Sequence, residues 1–211
     1  MSGVHMEIMV EEPSMEAFLR ALLPRLLGNA TSFSIYPFRC KNDLLKKLPA
    51  RLAGYASWLP ETSRIVVVVD RDDDDCHVLK QRIEEMIAAA GLRSRRAATL
   101  RPWQVVSRIA IEELESWYFG DWEAVLATYP RVPATIPNKK AYRDPDAIKG
   151  GTWETFERVL KKAGYFENGL RKIEVARSLG AKMTPEGNRS KSFMVFRDAL
   201  LETITNPSVA A

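Results

Sequence analysis

Residues 65–76 read IVVVVDRDDDDC, five apolar residues running into five aspartates and one arginine. Carboxylates this close repel one another, and in a folded site they need a counter-charge. A divalent cation is the simplest one. A hard ion such as Mg²⁺ (or Mn²⁺) takes oxygen ligands, keeps several waters and needs only one or two carboxylates. Asp70 and Asp72 stand two apart at the end of the apolar run, so in an extended chain both point the same way. Asp73, Asp74 and Asp75 read differently. They precede a helical pattern that starts at Cys76, where acids favour the helix dipole. Two more acid pairs follow apolar stretches: Glu11 and Glu12 after residues 4–10, and Glu112 and Glu113 after residues 103–111. Two ions held a few ångströms apart by such groups can grip a phosphodiester, activate water and steady the leaving oxygen.

The elements that must position these acids follow from periodicity. Residues 4–10 alternate with period two and predict a strand, as do residues 33–38 and 103–111. Residues 65–69 are fully apolar, as in the buried centre of a parallel sheet. Between them lie helical patterns. In the first, Ser14 is the candidate cap and Pro24 is expected to bend or end the helix; in the second, Pro49 is expected to interrupt it. The third, residues 78–92, is closed by Gly91. Strand and helix alternate four times, which predicts an α/β fold with an open, mainly parallel, four-stranded sheet flanked by helices. Ligands in such sheets sit at the carboxyl ends of the strands. The acids fall at three of those ends.

After about residue 121 the character changes. Prolines punctuate a loop-rich segment, and three helical patterns follow. The expected organisation is an α/β core over residues 1–120 and a helical, basic lobe over residues 121–211 packed on it, or one continuous domain. Residues 138–192 carry thirteen lysines and arginines against seven carboxylates. Such a surface attracts a phosphate backbone, and the candidate nucleic-acid contacts are Lys139, Lys140, Arg143, Arg189 and Lys191. A solvated surface is the bland alternative. A lysine here could also offset charge on a leaving oxygen; Lys182 is the first candidate and Lys140 the second.

VEEPSME (residues 10–16), followed by VVVVDRD, resembles the two signature motifs of the Toprim fold: a strand ending in glutamate with a turn, and a later strand ending in Asp-x-Asp. Toprim domains occur in topoisomerases, primases and overcoming-lysogenization-defect nucleases. The resemblance implies Mg²⁺-dependent phosphoryl transfer on nucleic acid, with Glu11, Asp70 and Asp72 as metal-binding and catalytic residues. IAIEELESWYFGD is similar to a pattern in an uncharacterised Toprim-like bacterial family, whose members stand beside ATPases in apparent anti-phage modules. That likeness implies Glu113 and Glu115 as further metal ligands and an ATPase partner; the nucleic acid is left open between DNA and RNA, with DNA the leading expectation. Taken alone, the same segment would put Glu112 and Glu115 on one helix face at spacing i, i+3, or leave the acids as an exposed first helical turn. One departure stands out: Glu12 occupies a position where Toprim motifs carry glycine.

Other chemistries find less support. Cys76 and His77 lack the paired spacing of a zinc site, and no GxxxxGKS loop or GxSxG elbow occurs. No apolar run is long enough to span a membrane, the N-terminus does not read as a secretory signal, and two cysteines fit a reducing, cytoplasmic setting. The leading expectation is a Mg²⁺-dependent nuclease. The alternatives are a non-catalytic nucleic-acid-binding or regulatory subunit, and a phosphatase using Asp70 as nucleophile.

Overall fold

The apolar stretches form four strands in the computed structural model, which describes residues 4–28, 31–98 and 102–205. They are β1 (His5–Val10), β2 (Ser32–Pro37), β3 (Arg64–Asp70) and β4 (Val105–Ala110). The sheet order is β2-β1-β3-β4 and every pairing is parallel, an α/β, Rossmann-like arrangement. The register decides where the acids go. Val10 lies beside Val68, and Asp70 beside Ala110. The carboxyl ends of β1, β3 and β4 are therefore level, and the first residues beyond them share one rim.

Eight helices complete the described chain: α1 (Pro13–Leu27), α2 (Lys41–Trp58), α3 (Cys76–Ala89), α4 (Glu115–Gly120), α5 (Trp122–Thr128), α6 (Thr152–Lys162), α7 (Lys172–Lys182) and α8 (Lys191–Thr205). All seven residues of β3 are buried, because helices cover both faces of the sheet. Met9, Val67 and Val69 pack on one side against Leu48 and Leu52 of α2 and Ile83 of α3. Ile8, Val66 and Val68 pack on the other side, in a cluster that includes Phe18 and Leu22 of α1, Phe156 of α6, Leu179 of α7 and Phe196 of α8. The helices beyond residue 121 thus share one apolar cluster with the sheet. Residues 206–211, assigned above to the helical lobe, lie outside the described residues. Trp117 and Phe119 are core residues with about 0% and 1% exposure.

Three local expectations are corrected. Pro24 lies inside α1 and Pro49 inside α2, and neither ends its helix. Leu22, Leu23 and Leu27 around Pro24, and Leu48 and Leu52 around Pro49, are buried. That burial outweighs one missing N–H. Ser14 does not cap α1 either; Glu12 is the cap residue, and the buried Ser14 hydroxyl donates to its carboxylate. The aspartate run behaves as expected at its end. Asp75 caps α3 by accepting the His77 and Val78 N–H groups at 2.8 and 3.1 Å.

The contact between α1 and α7 sets the geometry of the site described next. Gly180 of α7 sits against the Phe18 carbonyl and Ala21 of α1, so close that an added Cβ would collide with the Phe18 backbone oxygen. The Arg25 guanidinium of α1 donates to the Gly180 and Ala181 carbonyls at 3.2 and 2.9 Å. Gly180→Ala is expected to push the two helices apart and cost about 1–3 kcal/mol. Urea denaturation measures this, and an unchanged midpoint would show that the contact tolerates a methyl group.

Candidate active site

Glu11 is the first residue beyond β1. Its Oε2 accepts the Asp70 backbone N–H at 3.0 Å, and the Lys41 N–H also reaches the carboxylate. Burial dominates all the same. With the nearby Asp72 charge, it pushes the carboxyl up to about 7. Asp70 closes β3 and is 6% exposed, and its Oδ1 has no hydrogen-bond partner. Burial, then the charges of Glu11, Glu12, Glu115 and Asp72, push this carboxyl well above the usual carboxylate range. Glu115 opens α4 and is 2% exposed. Burial raises it to about 8; Lys172 pulls it down, while Glu113 and Glu12 push it up.

The other acids take different parts. Asp72 has φ 48°, in the left-handed region that aspartate tolerates better than most residues. Strand alternation therefore stops at Asp70. Asp72 does not face the same way by period two; its side chain is exposed and ion-paired to Lys41 at 2.8 Å. Its N–H donates to the Glu112 carbonyl at 2.9 Å. Glu112 has φ 64° and lies outside α4, so the i, i+3 relation with Glu115 does not form; it pairs with Arg71 instead. Glu113 Oε2 accepts from the Thr152 N–H at 3.0 Å, the Thr152 hydroxyl at 2.8 Å and the Trp153 N–H at 2.9 Å. It thereby serves the N-terminus of α6. Glu12 is extended, with φ −144° and ψ 163°, a conformation any residue adopts, so this turn makes no demand for glycine.

Among the described residues, no three acidic, imidazole or thiol groups close into a ready-made cation cage. The carboxylates converge on Asp70 without completing one. A family model for a domain of unknown function, DUF4276, matches residues 10–201. The chain belongs to the DUF4276 family. No curated protein and no solved structure matches it. The DUF4276 match opens at Val10, one residue before Glu11, and runs into α8, so it takes in every acid described above.

Two cations of this DUF4276 chain face the acids, and neither was singled out from sequence. Lys41 Nζ donates to Asp74 at 2.7 Å and to the Arg71 carbonyl at 2.9 Å, besides its pair with Asp72. Lys172 lies 4.7 Å from the centre of the Trp153 ring. Burial would lower its ammonium, but the charges of Glu115, Glu12, Glu113 and Asp70 raise it overall. Both lysines are the first residue of their helix. A cation at the positive end of a helix dipole is unfavourable unless acids face it, and that mismatch was the available signal.

The lysines and arginines proposed from the basic segment are exposed and make no hydrogen bond or ion pair to Glu11, Asp70 or Glu115 among the described residues. Lys182 is exposed at the far end of α7, about 15 Å along the helix from Lys172. Lys139, Lys140 and Arg143 are exposed on short turns near residues 136–147, and Arg189 and Lys191 are exposed before and at the start of α8.

Proposed function

We propose that this DUF4276 chain is a Mg²⁺-dependent nuclease that hydrolyses phosphodiesters, acting on DNA. The observation that carries the reading is Asp70, a buried carboxylate with an unpartnered Oδ1 and the charges of four further acids upon it. Groups of this kind suit a hard cation. The donors are oxygens, and one or two carboxylates with water complete a Mg²⁺ shell. Asp70, Glu11 and Asp72 would hold the ion, and Glu115 is better placed to join them than Glu113, whose Oε2 already takes three hydrogen bonds. Bound there, Mg²⁺ supplies positive charge to a phosphate oxygen and acidifies water. The chain's own part is to orient and to move protons. Burial pushes the Glu11 carboxyl up to about 7 when no ion is bound, and beside a cation it would fall toward the carboxylate that general-base work needs. Lys172 keeps a positive charge beside Glu115. The resemblance of VEEPSME and VVVVDRD to Toprim motifs supports the same roles, and the likeness of IAIEELESWYFGD to an uncharacterised Toprim-like family supports an anti-phage setting and an ATPase partner.

One observation favours a second reading. Lys41 already neutralises Asp72 and Asp74, and Lys172 faces Glu115. A rim supplied with its own cations suits a subunit that binds nucleic acid and regulates a partner without cutting. Incubation of the purified chain with supercoiled plasmid, in Mg²⁺ and in EDTA, together with melting curves in both, separates the readings. Cleavage and a raised Tm in Mg²⁺ are the expected results. A raised Tm without cleavage selects the regulatory reading. Neither response would remove the cation from the site.

A further inference from the structure

A second concave site lies outside the acidic rim, along the outer edge of β4. β4 is the last strand in the sheet order, and beyond the single bridge from Ser94 to Val105 its outer edge meets no other strand among the described residues. The start of α3 and the start of α8 rise on either side and leave a cleft of about 520 Å³. That volume lies within the range of small-molecule sites. Its walls mix apolar and polar groups. Ile109, Ile111 and Val195 are apolar, and Val195 is 51% exposed with nothing covering it among the described residues. Lys80, Arg108 and Lys191 are cationic.

Arg108 is the least satisfied of the three. Its Nε donates to the Val195 carbonyl at 3.2 Å and its Nη1 to the Ser107 carbonyl at 3.1 Å. Its Nη2 is buried and has no acceptor. Burial, with Arg95 nearby, lowers its pKa to about 10, which leaves it charged at neutral pH. Lys80 is partly spoken for by Glu84 and Ser107. Lys191 is exposed at the mouth. Two acids also line the cleft, Asp144 and Asp146, and both hold hydrogen bonds within the chain; Asp144 accepts the Asp146 N–H at 3.1 Å. Asp146 is the more heavily engaged. It accepts from the Ser190 and Ser192 hydroxyls at 2.8 and 3.0 Å and from the Ser192 N–H at 3.0 Å.

From this pairing of apolar walls with cations we infer that the β4-edge cleft binds a nucleotide, its base against Ile109, Ile111 and Val195 and its phosphate toward Arg108 and Lys191. Aliphatic surface accommodates a base face, and guanidinium and ammonium groups recognise phosphate oxygens. A free nucleotide and one unit of a single strand offer the same chemistry. The cleft ends at Ile111, which directly precedes Glu112 and Glu113 of the acidic rim. A strand held there would lead toward Asp70. That last step rests on the proposed nuclease function, whereas binding rests on the cleft alone.

The test is fluorescence anisotropy of a labelled twelve-residue oligothymidylate, and calorimetry with AMP, both in EDTA so that no cutting intervenes. Wild-type binding is expected. Lys191→Glu and Val195→Glu, both at exposed positions, are expected to weaken it at least tenfold, as is Arg108→Gln. Lys46→Glu, on the exposed face of α2, should leave it unchanged. Binding of AMP alone identifies a mononucleotide site, and binding of the oligonucleotide alone identifies a strand site; either supports the inference. No binding of either probe, or equal binding by wild type, Lys191→Glu and Val195→Glu, overturns it. Plasmid cleavage in Mg²⁺ is scored separately, so failure of the cleft and failure of the nuclease reading give different results.

Discussion

Asp70→Asn is expected to melt higher than the wild-type chain at pH 8 in EDTA, by roughly 5–10 °C, and to lose Mg²⁺-dependent cleavage by at least about 100-fold. The two effects share a cause. Asp70 is buried, one of its oxygens is unpartnered, and its folded-state pKa stands well above the ordinary value. The folded chain therefore holds a proton there that the unfolded chain has released. Stability from this group is complete below the unfolded pKa and is lost as pH rises through the folded one. Asparagine keeps the shape and removes the charge, so the gain should be present at pH 8 and nearly absent at pH 4. Mg²⁺ should reverse the order: the wild type gains stability from an ion that binds only the folded state, and the variant does not. A variant less stable than wild type at pH 8 in EDTA would show that Asp70 contributes attraction rather than repulsion. Full cleavage by the variant would remove Asp70 from the chemistry.

Glu115→Gln is expected to flatten the pH dependence of stability. Glu115 is 2% exposed and its carboxyl rises from about 4.5 to about 8 on folding. The wild type then loses stability progressively between those two values, on the order of a few kcal/mol. The Tm difference between variant and wild type should be near zero at pH 4.5 and should grow in the variant's favour up to pH 8. Lys172 limits the gain, because the substitution removes the first of the acids that raise its ammonium while leaving Glu12, Glu113 and Asp70. The opposite trend, a difference that shrinks with rising pH, would mean that the Glu115–Lys172 attraction outweighs burial.

Most of the sheet was legible because parallel strands announce themselves. The unbroken apolar run of β3 has one physical solution, a strand covered on both faces, and the alternation in β1 places Glu11 immediately past its end. Register then does the rest: parallel pairing of β1 and β3 brings Glu11 to the Asp70 amide without any local signal that it should. Backbone conformation was not legible. Nothing in DRDDDD says that Asp72 turns left-handed and swings out to Lys41, and period-two reasoning fails at that residue. Glu113 and Glu115 looked alike in sequence. Long-range packing separates them, since α6 claims Glu113 with three hydrogen bonds while the start of α4 buries Glu115. Pro24 and Pro49 misled because their local cost is real but smaller than the burial of the leucines around them.

Lys41 and Lys172 stand at the mouths of two helices that come from widely separated parts of the chain, and each holds its charge against acids on the same rim. Small metalloproteins whose ligands cannot tolerate one another remain unfolded until an ion arrives. Here tethered ammonium groups answer part of that repulsion before any ion arrives. An ion bound at the rim would add to stability already present rather than create it, as a working part more than a structural one.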